Sequence, residues 1–324
     1  PESVEGRAPP PFEDADIRAV ERQIPGVVSA AGTAQAGATA FHNGQDWRTS
    51  VQGADPAFFA AQSIDVEEGR VAGVRAAGDQ RFPARRVASN IDAHQTFRRL
   101  LDDEHLPESF ARAVDRIDYS SASMKINLAV SELPDFTCLP GNAEPGPQHR
   151  GTIHFAPDCE FLERAYEDAR GGEPSNRPIV EMTIPSSVDS SLAPPGHHVL
   201  SLFVQYAPYR LASGDWDDLK DPFADRCIAE IARYAPNVPG SILHRQVLSP
   251  VDLERIFGLT GGNIFQGAMP LHQLFSMRPV PGWSDYRTPV GGLYLCGSAA
   301  HPGGGVMGAC GRNAAREMIR DGRR

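Results

Sequence analysis

The C-terminal stretch GGLYLCGSAAHPGGGVMGACGRNAAREMIRD (residues 291–321) constrains the fold more than any other part of the chain. It opens with GLYLC, a short apolar run bounded by glycine, which is typical of a buried strand. A glycine-rich turn follows, and after it come small and charged residues with the composition of a helix. The order predicts a strand over 291–296, a turn, and a helix from 306 to about 320.

Three consecutive glycines, Gly303 to Gly305, lie just before the predicted helix. They remove side chains where a ligand could approach the backbone, and the N–H groups and dipole of a helix N-terminus favour electron-rich oxygen atoms. The alternative is a turn that serves only the packing of helix on sheet. Consecutive glycines cost backbone entropy and add no packing contacts, so the pattern favours ligand binding.

The composition restricts the function of the chain. Its 324 residues, 41% of them hydrophobic, are enough for one large domain or two. The net charge of −10 argues against nucleic acid and against an anionic membrane as partners, and no apolar run approaches the roughly 18 residues of a membrane-spanning helix. Five cysteines without a C-x-x-C pair argue against a disulfide framework or a zinc site. A reducing, cytoplasmic compartment is therefore expected.

The middle of the chain has alternating β patterns and amphipathic helical patterns. Residues 64–90 read as an antiparallel meander, and SMKINLAVSEL (123–133) reads as a half-buried strand. Helices are predicted near 158–169 and 221–234. We expect 64–90 and 123–131 to join one sheet layer that covers a pocket. The mix predicts an α/β (mixed α+β) class, with a nucleotide-binding layer and a largely antiparallel substrate layer.

Three segments carry a resemblance to a known family: residues 263–315 (NIFQGAMPLHQLFSMRPVPGWSDYRTPVGGLYLCGSAAHPGGGVMGACGRNAA), RVASNIDAHQTFRRLL and KINLAVSELPDF. The chain resembles the phytoene desaturase-like, amine oxidase-related FAD-dependent oxidoreductases, in the branch named for a pyridine nucleotide-disulfide oxidoreductase domain. The likeness covers roughly residues 64 to 320. It implies the FAD-dependent oxidoreductase fold and a hydride transfer from a substrate C–H bond to the flavin.

The resemblance also implies which residues meet FAD. The set is Gly297 and Ser298 near the diphosphate, followed by Pro302, Gly303, Gly304, Gly305 and Val306 toward the isoalloxazine ring. Many amine oxidase relatives have an acidic residue where this chain has Ser298, so a hydroxyl hydrogen bond would replace a charged contact. The implied domains are an FAD-binding layer (64–90 and 260–324), a substrate domain (91–259) and an irregular leader (1–63).

The chain departs from that family pattern at its N-terminal side. Such enzymes begin with a Rossmann unit whose G-x-G-x-x-G turn holds the pyrophosphate, and this sequence has no such motif. Residues 26–56 are either a degenerate nucleotide turn followed by a helix, or a flexible Ala/Gly loop. The simplest interpretation is an incomplete Rossmann layer, with that portion missing. We therefore expect weak FAD binding by the chain alone.

Other candidate residues carry weaker signals. Lys125 lies on an apolar strand and is either a lysine that holds water near the flavin or an edge lysine. His301 precedes the glycines and is either a catalytic residue or a structural histidine beside a proline. His197 and His198 point to opposite faces of a strand, and no metal site is predicted. The two functions kept open are an FAD-dependent oxidoreductase with an apolar small-molecule substrate, or a non-catalytic, partner-binding or regulatory remnant; a homo-oligomer is compatible with both.

Overall fold

The structure is a computed structural model that describes residues 33–42, 45–54, 61–76, 80–305 and 308–322. The strands within these ranges are β1 (Thr33–His42), β2 (Gln45–Ala54), β3 (Ala61–Glu67), β4 (Arg70–Ala76), β5 (Gln80–Pro83), β6 (Val87–Ser89), β7 (Ser123–Val130), β8 (Ile153–Phe155), β9 (Ile179–Thr183), β10 (His198–Gln205), β11 (Ile242–Leu248) and β12 (Leu293–Leu295). The mixed α/β class is confirmed.

The α-helices in the same ranges are α1 (Glu108–Asp115), α2 (Cys159–Arg170), α3 (Trp216–Ala232), α4 (Val238–Ser241), α5 (Pro250–Phe257) and α6 (Ala309–Gly322). Shorter turns of 3-10 helix lie at Asp103–His105, Pro147–His149, Pro185–Ser187, Ser190–Leu192, Thr260–Gly262, Leu271–Gln273 and Phe275–Met277, and a π-helical turn lies at Gln95–Arg99. The helices predicted near 158–169 and 221–234 correspond to α2 and to most of α3.

A five-stranded antiparallel sheet forms the middle of the chain, in the order β11-β7-β10-β9-β8. Buried and half-buried residues alternate strictly along β7, because successive side chains of a strand point to opposite faces. Met124, Ile126 and Leu128 therefore share one face, which packs in a core with Trp216 and Phe223 of α3. The opposite face carries the polar residues Lys125 and Asn127.

A second core joins segments that precede the five-stranded sheet in the sequence to segments that follow it. The β3-β4-β5 sheet and the parallel pair β6-β12 contribute to it, together with α1 and α6. Its aromatic centre is Phe97, whose ring meets Phe110 edge to face at 4.9 Å between centroids, and Phe110 meets Trp283 in the same way at 5.4 Å. This core places β12, and the glycine turn after it, beside β6.

The expectation that 64–90 and 123–131 join one sheet layer is wrong. Residues 64–90 form β3 to β6, which belong to the three-stranded sheet and to the pair with β12, whereas β7 pairs with β10 and β11. Alternation of apolar residues shows that a strand has one buried face, but the same pattern is compatible with many pairing partners. The division into FAD-binding and substrate domains stays a prediction.

The segments Thr33–His42 and Gln45–Ala54, which the sequence placed in an irregular leader, pair as antiparallel strands, with Thr33 opposite Ala54 and His42 opposite Gln45. A nucleotide turn would need a helix after its first strand, so the interpretation of 26–56 as a degenerate nucleotide turn is wrong for the described residues. A sequence signal was available, because Asn-Gly, the pair preferred in two-residue hairpin loops, stands at positions 43–44.

Two further findings bear on the setting of the protein. Within the described ranges, no helix is both long enough and apolar enough to cross a membrane. All five cysteines are free, two of them exposed (Cys138 and Cys159). The predicted cytoplasmic setting stays a prediction.

Candidate functional site

The glycine turn lies where the sequence predicts it, between a buried strand and a helix. Strand β12 is buried at all three residues, and α6 begins at Ala309, after the three glycines. The order of strand, turn and helix is confirmed, although the strand is shorter than 291–296 and the helix begins three residues after 306. Val306, a predicted cofactor contact, lies outside the described residues.

The first part of the turn is fixed against the end of β6. The backbone N–H of Cys296 donates to the Ser89 carbonyl at 2.8 Å. At Gly297 a Cβ atom would lie 2.2 Å from the Asn90 carbonyl oxygen, so the close approach of two backbones requires glycine here. The Gln266 side chain joins the two segments, because its Nε2 donates to the Asn90 carbonyl at 2.7 Å and its Oε1 accepts from the Ala299 N–H at 3.0 Å.

The three glycines differ in their surroundings. Gly303 is buried and Gly305 is exposed, and their φ angles of 106° and 132° are ones that side chains disfavour. A Cβ atom at Gly304 would lie 2.1 Å from Cδ1 of Phe265. The space over Gly304 is thus filled by an aromatic ring of the same chain, and a ligand that approaches Gly304 from that side displaces this ring.

Arg278 is the buried centre of this region, with 2% of its surface exposed. Its guanidinium donates to the carbonyls of Phe265 (2.6 Å), Ser298 (2.8 Å) and Ala268 (3.2 Å), and more weakly to those of Gly267 and Gln273. Burial lowers the pKa of Arg278. Among the described residues no carboxylate pairs with it, so backbone dipoles alone offset its charge and tie the 263–268 loop to the turn.

Two buried ring nitrogens lack hydrogen-bond partners. Within the described ranges they are Nδ1 of His301 and Nδ1 of His94. His301 lies in the turn, with its ring 6.4 Å from that of Phe275, and His94 faces the Tyr119 ring at 6.3 Å. Buried polar atoms are normally hydrogen-bonded, so an unpartnered one beside the turn fits a site that a polar ligand completes.

Lys125 does not contact the turn. It lies on the half-buried face of the five-stranded sheet, where its Nζ donates to the Ser201 hydroxyl and, at 3.4 Å, to the Leu202 carbonyl of β10. Burial lowers the pKa of Lys125. The structure therefore groups Gly297, Ser298 and the residues from His301 to Gly305 in one turn and places Lys125 on a separate sheet.

Exposed apolar side chains lie in the segment 264–277, part of which contacts the turn. We call this set the apolar patch: Ile264, Phe265, Met269, Leu271, Phe275 and Met277, which are 37 to 83% exposed. Three of them touch the turn, because Phe265 lies over Gly304, a Cβ atom at Gly303 would be 3.0 Å from Met269 Cε, and the Phe275 ring faces His301. An exposed cluster of this kind is typical of a binding surface.

A cavity of about 840 Å³ lies on the other side of the 263–268 loop. It is lined by residues 117–122, the C-terminal end of α2, Tyr206, residues 208–210, Glu254 of α5 and residues 260–261. The Ala268 N–H donates to the Asp118 carbonyl at 2.8 Å, and the His94 N–H donates to the Tyr119 hydroxyl at 3.0 Å. The same loop therefore contacts both the cavity wall and the glycine turn.

Sequence analysis missed several residues of this site: Asn90, His94, Phe265, Gln266 and Arg278. Asn90 and His94 stand in RVASNIDAHQTFRRLL, and the other three stand within 263–315, so all five fall in segments that carry the family resemblance. The sequence signal for Arg278 is an arginine surrounded by methionine, proline and valine in SMRPVPGW. Such a residue is buried only when carbonyl groups surround it, and the sequence does not show which carbonyls do so.

Residues 1–93 match a family model described as the MacB-like periplasmic core domain. This match covers less than a third of the chain and includes the hairpin β1–β2. The chain is also similar to pyridine nucleotide-disulfide oxidoreductase domain-containing protein 2 from Rattus norvegicus, at 52% identity over 261 residues, which is 78% of this chain and 45% of the relative. The Mus musculus protein of the same name is 50% identical with the same coverage.

More distant similarities lie beyond these. A prolycopene isomerase from Daucus carota is 26% identical over 255 residues, 76% of this chain and 37% of that protein. A solved oxidoreductase from Methanosarcina mazei is similar at a TM-score of 0.47 and 19% identity, over 81% of this chain and 48% of that one. A TM-score of 0.47 and an identity of 19% do not indicate a shared activity. The chain spans less than half the length of the rat and mouse relatives.

Proposed function

Because the chain belongs to the FAD-type oxidoreductase family that includes pyridine nucleotide-disulfide oxidoreductase domain-containing protein 2, we propose that it serves as an FAD-dependent oxidoreductase of the dehydrogenase or desaturase type. The observation that carries the proposal is the glycine turn between β12 and α6, with the unpartnered Nδ1 of His301 inside it. FAD, when bound, would supply the acceptor for a hydride from a substrate C–H bond.

The cofactor contacts that we propose are Gly297, Ser298, Pro302, Gly303, Gly304, Gly305 and Val306. The exposed Gly305 supports this set, since its backbone has no side chain to exclude a ligand. Gly297 has a second reason to be glycine, which is its contact with Asn90. His301 would hold the ligand through Nδ1, and Arg278 would position Ser298 by the hydrogen bond to its carbonyl.

The substrate that we propose is a small molecule with an apolar body, bound in the cavity behind the 263–268 loop. A volume of about 840 Å³ is within the usual range for small-molecule sites. Lys125 and His301 remain the two candidates for a catalytic role. His301 has the stronger geometric support, because Lys125 is engaged by β10.

Flavin binding tests the proposal. Quenching of flavin fluorescence should show weak or no binding by the 324-residue chain alone, and binding should appear when the unmatched part of the rat relative is supplied. The reason is that a dinucleotide needs several charge-assisted hydrogen bonds at its pyrophosphate, each worth roughly 1.5–3 kcal/mol. Tight binding by the chain alone would overturn the need for a further nucleotide-binding segment.

Variants of the complemented protein test the turn itself. Gly304→Ala is best made in a Phe265→Ala background, where the added methyl group no longer meets the ring of Phe265 and can obstruct a ligand that approaches the turn. We expect this pair to bind flavin at least tenfold more weakly than Phe265→Ala alone. Gly240→Ala is the matched control, because its Cβ atom would have no neighbour within 4 Å. Equal binding by all variants would remove the turn from the site.

The apolar patch favours one alternative, a non-catalytic role in binding or regulating a partner protein. In that case the purified, complemented protein would show no flavin absorbance, and Leu271→Ser, at the most exposed position of the patch, would change its association state. Flavin absorbance together with substrate-dependent bleaching would exclude this alternative.

A further inference from the structure

The cavity behind the 263–268 loop has a chemical character of its own. Four tyrosines line it: Tyr119, Tyr166, Tyr206 and Tyr209. The rings of Tyr166 and Tyr206 meet edge to face, with 5.6 Å between centroids. Aromatic rings offer large flat surfaces at little cost in side-chain entropy, so this wall suits a ligand with an apolar or aromatic body.

The acidic groups of the cavity are already occupied. Glu254 accepts from the Tyr209 hydroxyl with one carboxylate oxygen and from the Gly261 N–H with the other, at 3.1 Å. Asp118 accepts from the N–H of Ser120 at 2.7 Å and from its hydroxyl at 3.1 Å. Both carboxylates are thus hydrogen-bonded within the chain by neutral donors, and they keep their negative charges.

The basic groups of the same cavity retain free donors. Arg170 contacts Glu167 only through Nη1, at 2.7 and 3.0 Å. Its Nε and Nη2 groups have no hydrogen-bond partner among the described residues. Arg210 makes no hydrogen bond or ion pair with any residue that the structure describes. Its charge nevertheless acts on the cavity, because it opposes the rise in the Tyr209 pKa that the hydrogen bond to Glu254 and burial produce.

The lining carries two carboxylates and two guanidinium groups, and among the described residues Arg210 is the one of these four without a hydrogen-bond or ion-pair partner. We propose that the cavity binds a small molecule with an apolar or aromatic body and a carboxylate group, with Arg210 pairing with the carboxylate. The planar guanidinium matches a carboxylate through two parallel hydrogen bonds. This inference rests on the proposed function only in treating the ligand as the substrate, since the binding itself needs no flavin.

The experiment compares three probes of one shape on the flavin-free chain: 3-phenylpropionate, 3-phenylpropanol and 3-phenylpropylamine, by calorimetry or ligand-observed NMR. We expect the carboxylate to bind about five- to tenfold more tightly than the alcohol, and an amine that binds as tightly as the carboxylate would overturn the assignment to Arg210. Phenyl phosphate is a fourth probe. Tighter binding of the phosphate than of 3-phenylpropionate would overturn the carboxylate assignment in favour of a phosphate ligand.

Variants identify the pairing group. Arg210→Gln should remove the preference for the carboxylate over the alcohol, whereas Arg210→Lys, which keeps the charge, should retain part of it. Arg226→Gln is the matched control, an exposed arginine whose guanidinium lies over Phe223 and outside the cavity lining. A preference that survives Arg210→Gln, or no detectable binding of any probe, would overturn the inference. Flavin binding by the complemented protein is measured separately, so failure of the proposed function is distinguishable from failure here.

Discussion

Replacing Arg278 with methionine tests whether one buried guanidinium holds the glycine turn in place. Methionine has a similar length and no donors, so the substitution removes all the hydrogen bonds that tie the 263–268 loop to Ser298. The loop and the turn would then be joined mainly by Gln266 and by the Phe265 ring. We expect a large loss of stability that is centred on these two segments.

The magnitude follows from the three closest contacts, at 2.6, 2.8 and 3.2 Å. A buried acceptor left without a donor costs about 1–3 kcal/mol, so three such carbonyls cost about 3–9 kcal/mol. The variant also relieves the desolvation of a buried cation, which is worth several kcal/mol, and water reaches part of the loop. The net loss in the free energy of unfolding should be about 3–5 kcal/mol.

Urea unfolding followed by circular dichroism measures this loss, and hydrogen exchange locates it. The backbone amides of 263–279 and 297–305 should lose protection before those of the five-stranded sheet. Arg226→Met is the control, because its guanidinium is exposed and lies 5.9 Å from the Phe223 ring, and it should cost no more than about 1 kcal/mol. Arg278→Lys should fall in between. A loss below about 1 kcal/mol for Arg278→Met would refute the reasoning.

Two other experiments, a glycine substitution and a lysine titration, have clear expected outcomes. Gly297→Ala should destabilise by about 1–3 kcal/mol in urea unfolding, because its Cβ atom would lie 2.2 Å from the Asn90 carbonyl, whereas Gly311→Ala, with its nearest neighbour 3.9 Å away, should not; equal effects would contradict the packing argument. The chain contains two lysines, Lys125 and Lys220. Reductive ¹³C-methylation therefore labels few sites, and NMR can follow the titration of each lysine. A Lys220→Arg variant assigns the two signals. Burial lowers the Lys125 pKa, so the folded protein releases this proton at a lower pH than the unfolded chain, and the contribution of Lys125 to stability should rise with pH between the two pKa values. A Lys125 pKa equal to that of an exposed lysine would contradict this expectation.

Local patterns in the sequence predicted individual elements well. Alternation identified β7, and the apolar run before the glycines identified β12. Pairing was not predictable in the same way, because β6 precedes and β12 follows all five strands of the central sheet, and neither sequence specifies the other. The antiparallel pair β1–β2 was not predicted, because the small residues of this segment are also compatible with a nucleotide turn. The dipeptide Asn43-Gly44 is the sequence signal that favours a hairpin.

The same difference between local patterns and long-range contacts applies to the candidate site. The glycine turn was visible because its residue types are unusual, but its environment depends on contacts between distant segments. Phe265 over Gly304, Asn90 against Gly297 and the carbonyls around Arg278 are all such contacts. Hydrogen bonds to backbone carbonyls leave no trace in the sequence, because every residue has a carbonyl group. The cavity behind the 263–268 loop was likewise not predictable, because its walls come from segments that are distant in the sequence.

The parallel pairing of β6 with β12 has a consequence for folding during synthesis on the ribosome. The core of the five-stranded sheet draws its buried residues from Met124 to Val238, so it can close while β12 is still unmade. The other core includes Val290, Leu293 and Ala314, and cannot close until these residues emerge. The glycine turn therefore forms after the core of the five-stranded sheet, because β12 follows that core in the chain. A ligand that binds at the turn arrives too late to guide the folding of the sheet.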